Sequence, residues 1–133
     1  MNDMSKRARA AQANELLRVI AANGRQFFKH GDCVSVFEVD YRGRVWWRNA
    51  YKNKRIYVYG HWYWRGFTEG GTLRQLVEYL RDFIRWGTPV PAAQFGPWPE
   101  WLCDGDLWGY GEDMEIVRSA ARHLGVVRVE EAA

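Results

Sequence analysis

The chain has 133 residues, 47% hydrophobic, 26% charged and 16% aromatic, with a formal net charge of +3. That length gives one domain over residues 1–133 with a real core, and the composition excludes a disordered segment. Two cysteines, Cys33 and Cys103, are too few for a secreted disulfide scaffold and point to a reducing cytoplasm. Met1 to Arg7 leads into Ala-rich polar sequence with no apolar h-region. No apolar run approaches membrane-spanning length, so neither a signal peptide nor a membrane span is expected.

The first predicted element is a helix over residues 5–23. Ser5 caps it, Leu16, Leu17, Val19 and Ile20 form its apolar stripe, and Gly24 stops it. Its basic first turns (Lys6, Arg7, Arg9) are expected to fray, over residues 1–10. A β-rich stretch follows from Cys33 to Tyr41, with Cys33 as a small core residue. Arg42-Gly43 makes a turn, Arg44 to Tyr51 a second strand, Lys52-Asn53-Lys54 another turn and Arg55 to Tyr59 a third strand. Gly60 kinks the chain before His61 to Trp64 continue extended.

Thr72 with Gln75 three residues later reads as a capping box. Leu73, Leu76, Val77, Leu80, Phe83 and Ile84 then fall on one face of a helix ended by Gly87 and Pro89. Residues 88–111 hold all four prolines and three tryptophans, Trp98, Trp101 and Trp108, which predicts an irregular but ordered connection that shelters its indoles. A last helix over 112–124 turns Met114, Val117, Ala121 and Leu124 inward, and Val126 to Val129 can add a short edge strand. The fold class is α+β: a three-stranded antiparallel meander packed on helices, in the order α-β-β-β-α-loop-α.

Catalytic patterns are missing from the sequence. It has no GxSxG, HExxH, Walker-type glycine loop or dinucleotide fingerprint. His30, His61 and His123 have no neighbours at metal-ligand spacing, and the glycines of residues 105–111 suit an aromatic turn better than a phosphate cradle. The carboxylates between Glu100 and Glu115 match no EF-hand array. Glu112, Asp113 and Glu115 suit the first turn of a helix, where they complement its dipole. A non-enzymatic protein without cofactor or metal is expected.

Residues 41–68 carry seven cations, ten aromatic residues and no Asp or Glu. Period-two alternation places Val45, Trp47, Ile56 and Val58 under the helix of residues 72–86. Arg44, Trp46, Arg48, Arg55, Tyr57, Tyr59 and His61 are left on the outer face, and Arg65 lies close beyond. Cations for phosphates and rings for bases make this face a candidate site for nucleic acid or a nucleoprotein. Arg, Trp and Tyr are equally the residues of protein–protein hot spots, and cross-strand aromatic pairs also stabilise sheets with no ligand at all. Residues 1–86 carry sixteen Lys/Arg against eight Asp/Glu, and residues 87–133 three against eight. The acidic second part can therefore neutralise the basic first part within the fold.

Three segments carry a family resemblance: Trp64-Arg65-Gly66-Phe67-Thr68-Glu69-Gly70-Gly71-Thr72-Leu73, Gly96-Pro97-Trp98-Pro99-Glu100-Trp101 and Asp106-Leu107-Trp108-Gly109-Tyr110-Gly111. Through them the chain resembles small uncharacterised accessory proteins of bacteriophages and prophages of Gram-negative bacteria. The resemblance implies a partner in host or phage machinery, a protein complex or nucleic acid, and brings no catalytic residues. The alternative function it suggests is a protein-binding inhibitor or adaptor, for example against bacterial defence. The helix–three strands–helix order is also similar to double-stranded RNA-binding domains. Gly70 to Leu73 stand where their lysine-bearing helix start falls, so membership does not follow.

Overall fold

Ser5 begins the architecture: its side chain accepts a hydrogen bond from the Ala8 amide and so caps α1, Lys6–Ala22. The computed structural model describes residues 5–60, 62–96, 101, 107–109 and 111–127. One side of α1 buries Ala10, Ala13, Leu16, Leu17 and Ile20 in the core. Its basic first turn is tied to two other elements. Lys6 donates to the Gly43 carbonyl, Arg7 to those of Val39 and Asp40, and Arg9 to that of Ile84.

The β-rich stretch is interrupted. Lys29–His30 (β1) and Cys33–Val34 (β2) form a two-stranded hairpin, and Val36–Val39 (β3) begins a separate sheet. Ser35 causes the break. It is buried, its amide donates to the Phe28 carbonyl, and its hydroxyl accepts from the Ala50 amide. Cys33 is consequently exposed on the hairpin and not in the core.

The three-stranded sheet runs β3-β4-β5, all antiparallel, with β4 at Val45–Arg48 and β5 at Arg55–Tyr57. Phe37, Trp47 and Ile56 share one row, and Glu38, Trp46 and Tyr57 the next, so successive rows face opposite sides. Val45, Trp47 and Ile56 are buried on the inner side, with Val58 just beyond β5.

After β5 the chain leaves the extended conformation. Trp64 is buried, and its indole N–H is shared between the Tyr59 and Gly60 carbonyls. The guanidinium carbon of Arg74 sits 3.5 Å above that ring, and Arg81, itself buried, donates to Gly60. This clamp leaves Trp62 and Tyr63 on the surface at 84% and 80% exposure.

Helix α2, Gly71–Trp86, buries Leu76, Val77, Leu80, Phe83 and Ile84, the stripe expected, together with Arg81. The capping box does not form. The N-cap is Gly70 and no side chain caps the helix, because Gly71 enters at φ +57, a left-handed value that places Thr72 inside the first turn. Gly87 ends α2 in the left-handed conformation.

The connection that follows contains a 3-10 helix, Ala92–Phe95. Trp108 is buried there, edge-on to Phe27 and bonded through its indole N–H to the Gln94 carbonyl. Trp101, in contrast, is 83% exposed, and Trp98 and Cys103 lie outside the described residues. Helix α3, Glu112–His123, buries Met114, Val117 and Ala121, carries its carboxylates in the first turn, and packs on α1 and the 3-10 helix. Val127 makes a parallel bridge to Val90; residues 128 and 129 of the expected edge strand lie outside the described set.

Candidate functional site

Alternation on β3, β4 and β5 brings Arg44, Trp46, Arg48, Arg55 and Tyr57 together on the sheet's outer side, with Tyr59 next in line. Trp46 is the hub. Its ring lies 4.5 Å from the Arg55 guanidinium and 5.6 Å from that of Arg44, and 4.9 Å from Tyr57. Tyr57 stacks in turn on Tyr59 at 5.7 Å and an interplanar angle of 19°. Tyr57 and Tyr59 are 42% and 58% exposed, so both side chains of this pair are partly open to solvent.

Two residues that the acid-free stretch concealed share the same face. Glu38 and Asp40 belong to the preceding strand and its turn, and register sets them against the arginines. Arg48 grips Glu38 through two bonds, Nε to Oε2 at 2.6 Å and Nη2 to Oε1 at 3.1 Å, and Arg55 reaches the same carboxylate at 3.1 Å. Arg44 and the Trp46 indole both donate to Asp40 Oδ2, at 2.8 and 3.0 Å.

Hydrogen bonding to Arg48 holds the Glu38 carboxyl below its ordinary pKa and raises that of Arg48. Partial burial alone would raise the Asp40 carboxyl. Donors from Trp46, from the Arg44 and Arg42 amides and from the Arg44 side chain outweigh it and hold Asp40 far below the usual carboxylate range. The signal for this neutralisation was present in the sequence, since residues 38 and 40 have the same parity along their strand as Val36. Charge counted along one stretch misses what the neighbouring strand brings.

At the edge of this face lies a groove of about 160 Å³ that no carboxylate lines among the described residues. Lys6, Arg42, Arg44 and Arg85 line it, with Tyr57 and Tyr59 as its aromatic wall. Lys6 and Arg85 also line the adjoining concavity, together with Arg9 and Trp86. Arg85 lies 5.7 Å from the Tyr59 ring and 4.8 Å from that of Trp86, which is 67% exposed. Sequence reasoning missed these residues because the start of α1 and the end of α2 meet only in the fold.

Arg65 is exposed in the turn after Trp64 and joins none of the outer-face ion pairs. His61 lies outside the described residues. Among the described residues no cluster of three His, Cys, Asp or Glu is placed to hold a metal, and no helix is long and apolar enough to cross a membrane.

Residues 3–132 match the family model described as YoqU. No curated protein and no solved structure matches the chain.

Proposed function

The chain belongs to the YoqU family, and we propose that it is a non-enzymatic accessory factor of a phage or other mobile element that binds nucleic acid in the bacterial cytoplasm. The contact surface is the cationic groove at the sheet edge, with the outer face as its aromatic continuation. One observation carries the reading: Lys6, Arg42, Arg44 and Arg85 converge on a groove lined by no carboxylate among the described residues, beside the stacked Tyr57–Tyr59 pair. Cations tracking phosphates beside rings that stack on bases are what single-stranded nucleic acid requires. Arg48 and Arg55, held by Glu38, orient the platform in this reading, and Arg44 is shared between Asp40 and the groove.

Fluorescence anisotropy with labelled single- and double-stranded oligonucleotides tests it. Binding is expected at about 50 mM salt and should weaken steeply as salt rises. Arg42→Glu and Arg85→Glu should each lower the slope of log affinity against log salt by about one. No binding by either probe at low salt ends this proposal.

A second reading, a protein-binding inhibitor or adaptor, is favoured by the neutralised outer face. Glu38 and Asp40 leave there a surface of arginines and rings with little net charge, the composition of a protein hot spot. A partner captured from nuclease-treated host lysate, and lost in Trp46→Ala, would select this reading over the first.

A further inference from the structure

We infer that the cationic groove continues into a second compartment around Trp86 that holds an unpaired base, so that the ligand is a single strand crossing between the two over Arg85. The inference rests on the nucleic-acid reading above and adds to it the path of the strand and its single-strandedness.

The compartment is the concavity of about 700 Å³ between the start of α1 and the end of α2. That is the size of a small-molecule site. The first turn of α1 fixes its walls. Arg9 donates through Nε to the Ile84 carbonyl at 2.9 Å and through Nη2 to that of Arg85 at 3.5 Å. These are among the last carbonyls of α2, where a cation suits the helix dipole. Lys6 donates to the Gly43 carbonyl at 3.0 Å, so the same turn also borders the groove. Lys6 and Arg85 line both spaces, and no carboxylate lines either among the described residues. A polyanion can therefore run from one to the other without meeting a like charge.

Arg85 is the central observation. Its guanidinium carbon lies 5.7 Å from the ring of Tyr59, which lines the groove, and 4.8 Å from that of Trp86, which lines the concavity. In a single strand each internal phosphate has a base on either side. A phosphate held by Arg85 finds a ring on either side. This arrangement also accounts for Trp86 itself. It is 67% exposed, and its one ring contact among the described residues is with Arg85. An open indole beside a cationic concavity is a stacking platform for an unpaired base, whereas a duplex keeps its base faces covered. Phe83 adds an apolar patch to the lining, and Gln12 an amide that can bond a base edge.

DNA and RNA strands share this chemistry, and the experiment separates them. Fluorescence anisotropy of the full chain would use labelled oligo-dT and oligo-U of about three and about ten nucleotides, a duplex of about ten base pairs, and polyglutamate as a competitor without bases. The longer strand, which reaches both compartments, should bind at least about tenfold more tightly than the shorter one. Trp86→Ala should weaken the longer strand by about tenfold and leave its salt dependence unchanged, because an indole stacks but neutralises no phosphate. Trp86→Phe should restore most of that loss, and the duplex should be indifferent to both variants. Which of oligo-dT and oligo-U shows this dependence, or both, identifies the source. Trp86 is exposed, so an unchanged Tm is expected and checks that the variants fold.

Equal affinity for the two lengths, a longer strand that Trp86→Ala leaves unaffected, or an equal loss for the duplex overturns the compartment while groove binding stands. Polyglutamate that competes as well as oligo-dT also overturns it, in favour of an acidic protein partner. No binding by any nucleic-acid probe removes the groove reading itself.

Discussion

Replacing Trp47 with Ala removes a side chain that is fully buried and has ring contacts with Phe37 at 5.0 Å, Phe28 at 5.5 Å and Phe67 at 6.0 Å. A core aromatic truncated to Ala costs about 3–5 kcal/mol, out of the roughly 5–15 kcal/mol that holds a domain folded. For a chain of this size that lowers Tm by about 10–20 °C. The neighbouring residue gives the contrast. Trp46 lies half-buried on the opposite side, and its losses are the Tyr57 ring contact, two partly exposed cation–π contacts and the indole N–H bond to Asp40. These sum to about 2–3 kcal/mol once solvent exposure is allowed for. A third variant isolates the polar term. The Trp47 Nε1 is buried with no partner among the described residues, which costs about 1–3 kcal/mol. Trp47→Phe keeps a ring and removes that stranded donor, so its cost should stay within about 2 kcal/mol. Thermal and urea unfolding of the three variants measure all of this. If Trp46→Ala destabilises as much as Trp47→Ala, the assignment of faces is wrong, and the aromatic platform is a second core and not a surface.

Acid should probe the outer-face carboxylates. Both Glu38 and Asp40 titrate below their ordinary values in the folded state. Their stabilisation is therefore complete above the unfolded pKa values of about 4 and is lost as pH falls toward the folded ones. Between about pH 4 and pH 2, Tm of the wild type should fall more steeply than that of Asp40→Asn; parallel curves would show that Asp40 contributes nothing. Gly24→Ala should be severely destabilising. At φ +57 an added Cβ would stand 2.0 Å from the Trp108 carbonyl oxygen, so a melt indistinguishable from wild type would contradict the close approach of these two segments.

The sequence made the inner faces legible because two signals agree there. The period-two rows of β4 and β5 and the 3.6-residue stripe of α2 point apolar side chains at one another, and Trp47, Ile56, Leu76 and Leu80 meet as that pattern requires. Details set by single backbone choices were not legible. A buried Ser35 splits a continuous β-rich stretch, and a left-handed Gly71 displaces a capping box that local spacing favours. The site divides in the same way. Alternation sorts Arg44, Trp46, Arg48 and Tyr57 onto one side, but the neutralising role of Glu38 depends on cross-strand register. The groove depends on residues some eighty positions apart, Lys6 and Arg85, which no periodicity links.

The position of α1 has a consequence for synthesis. Its apolar side packs on β3, α2 and α3, and it is translated before all of them. About ninety residues separate its last turn from the first turn of α3. At ordinary elongation rates that interval lasts on the order of 10 s. For that time Leu16, Leu17 and Ile20 lack part of their cover, and the nascent helix is the segment on which a chaperone would act.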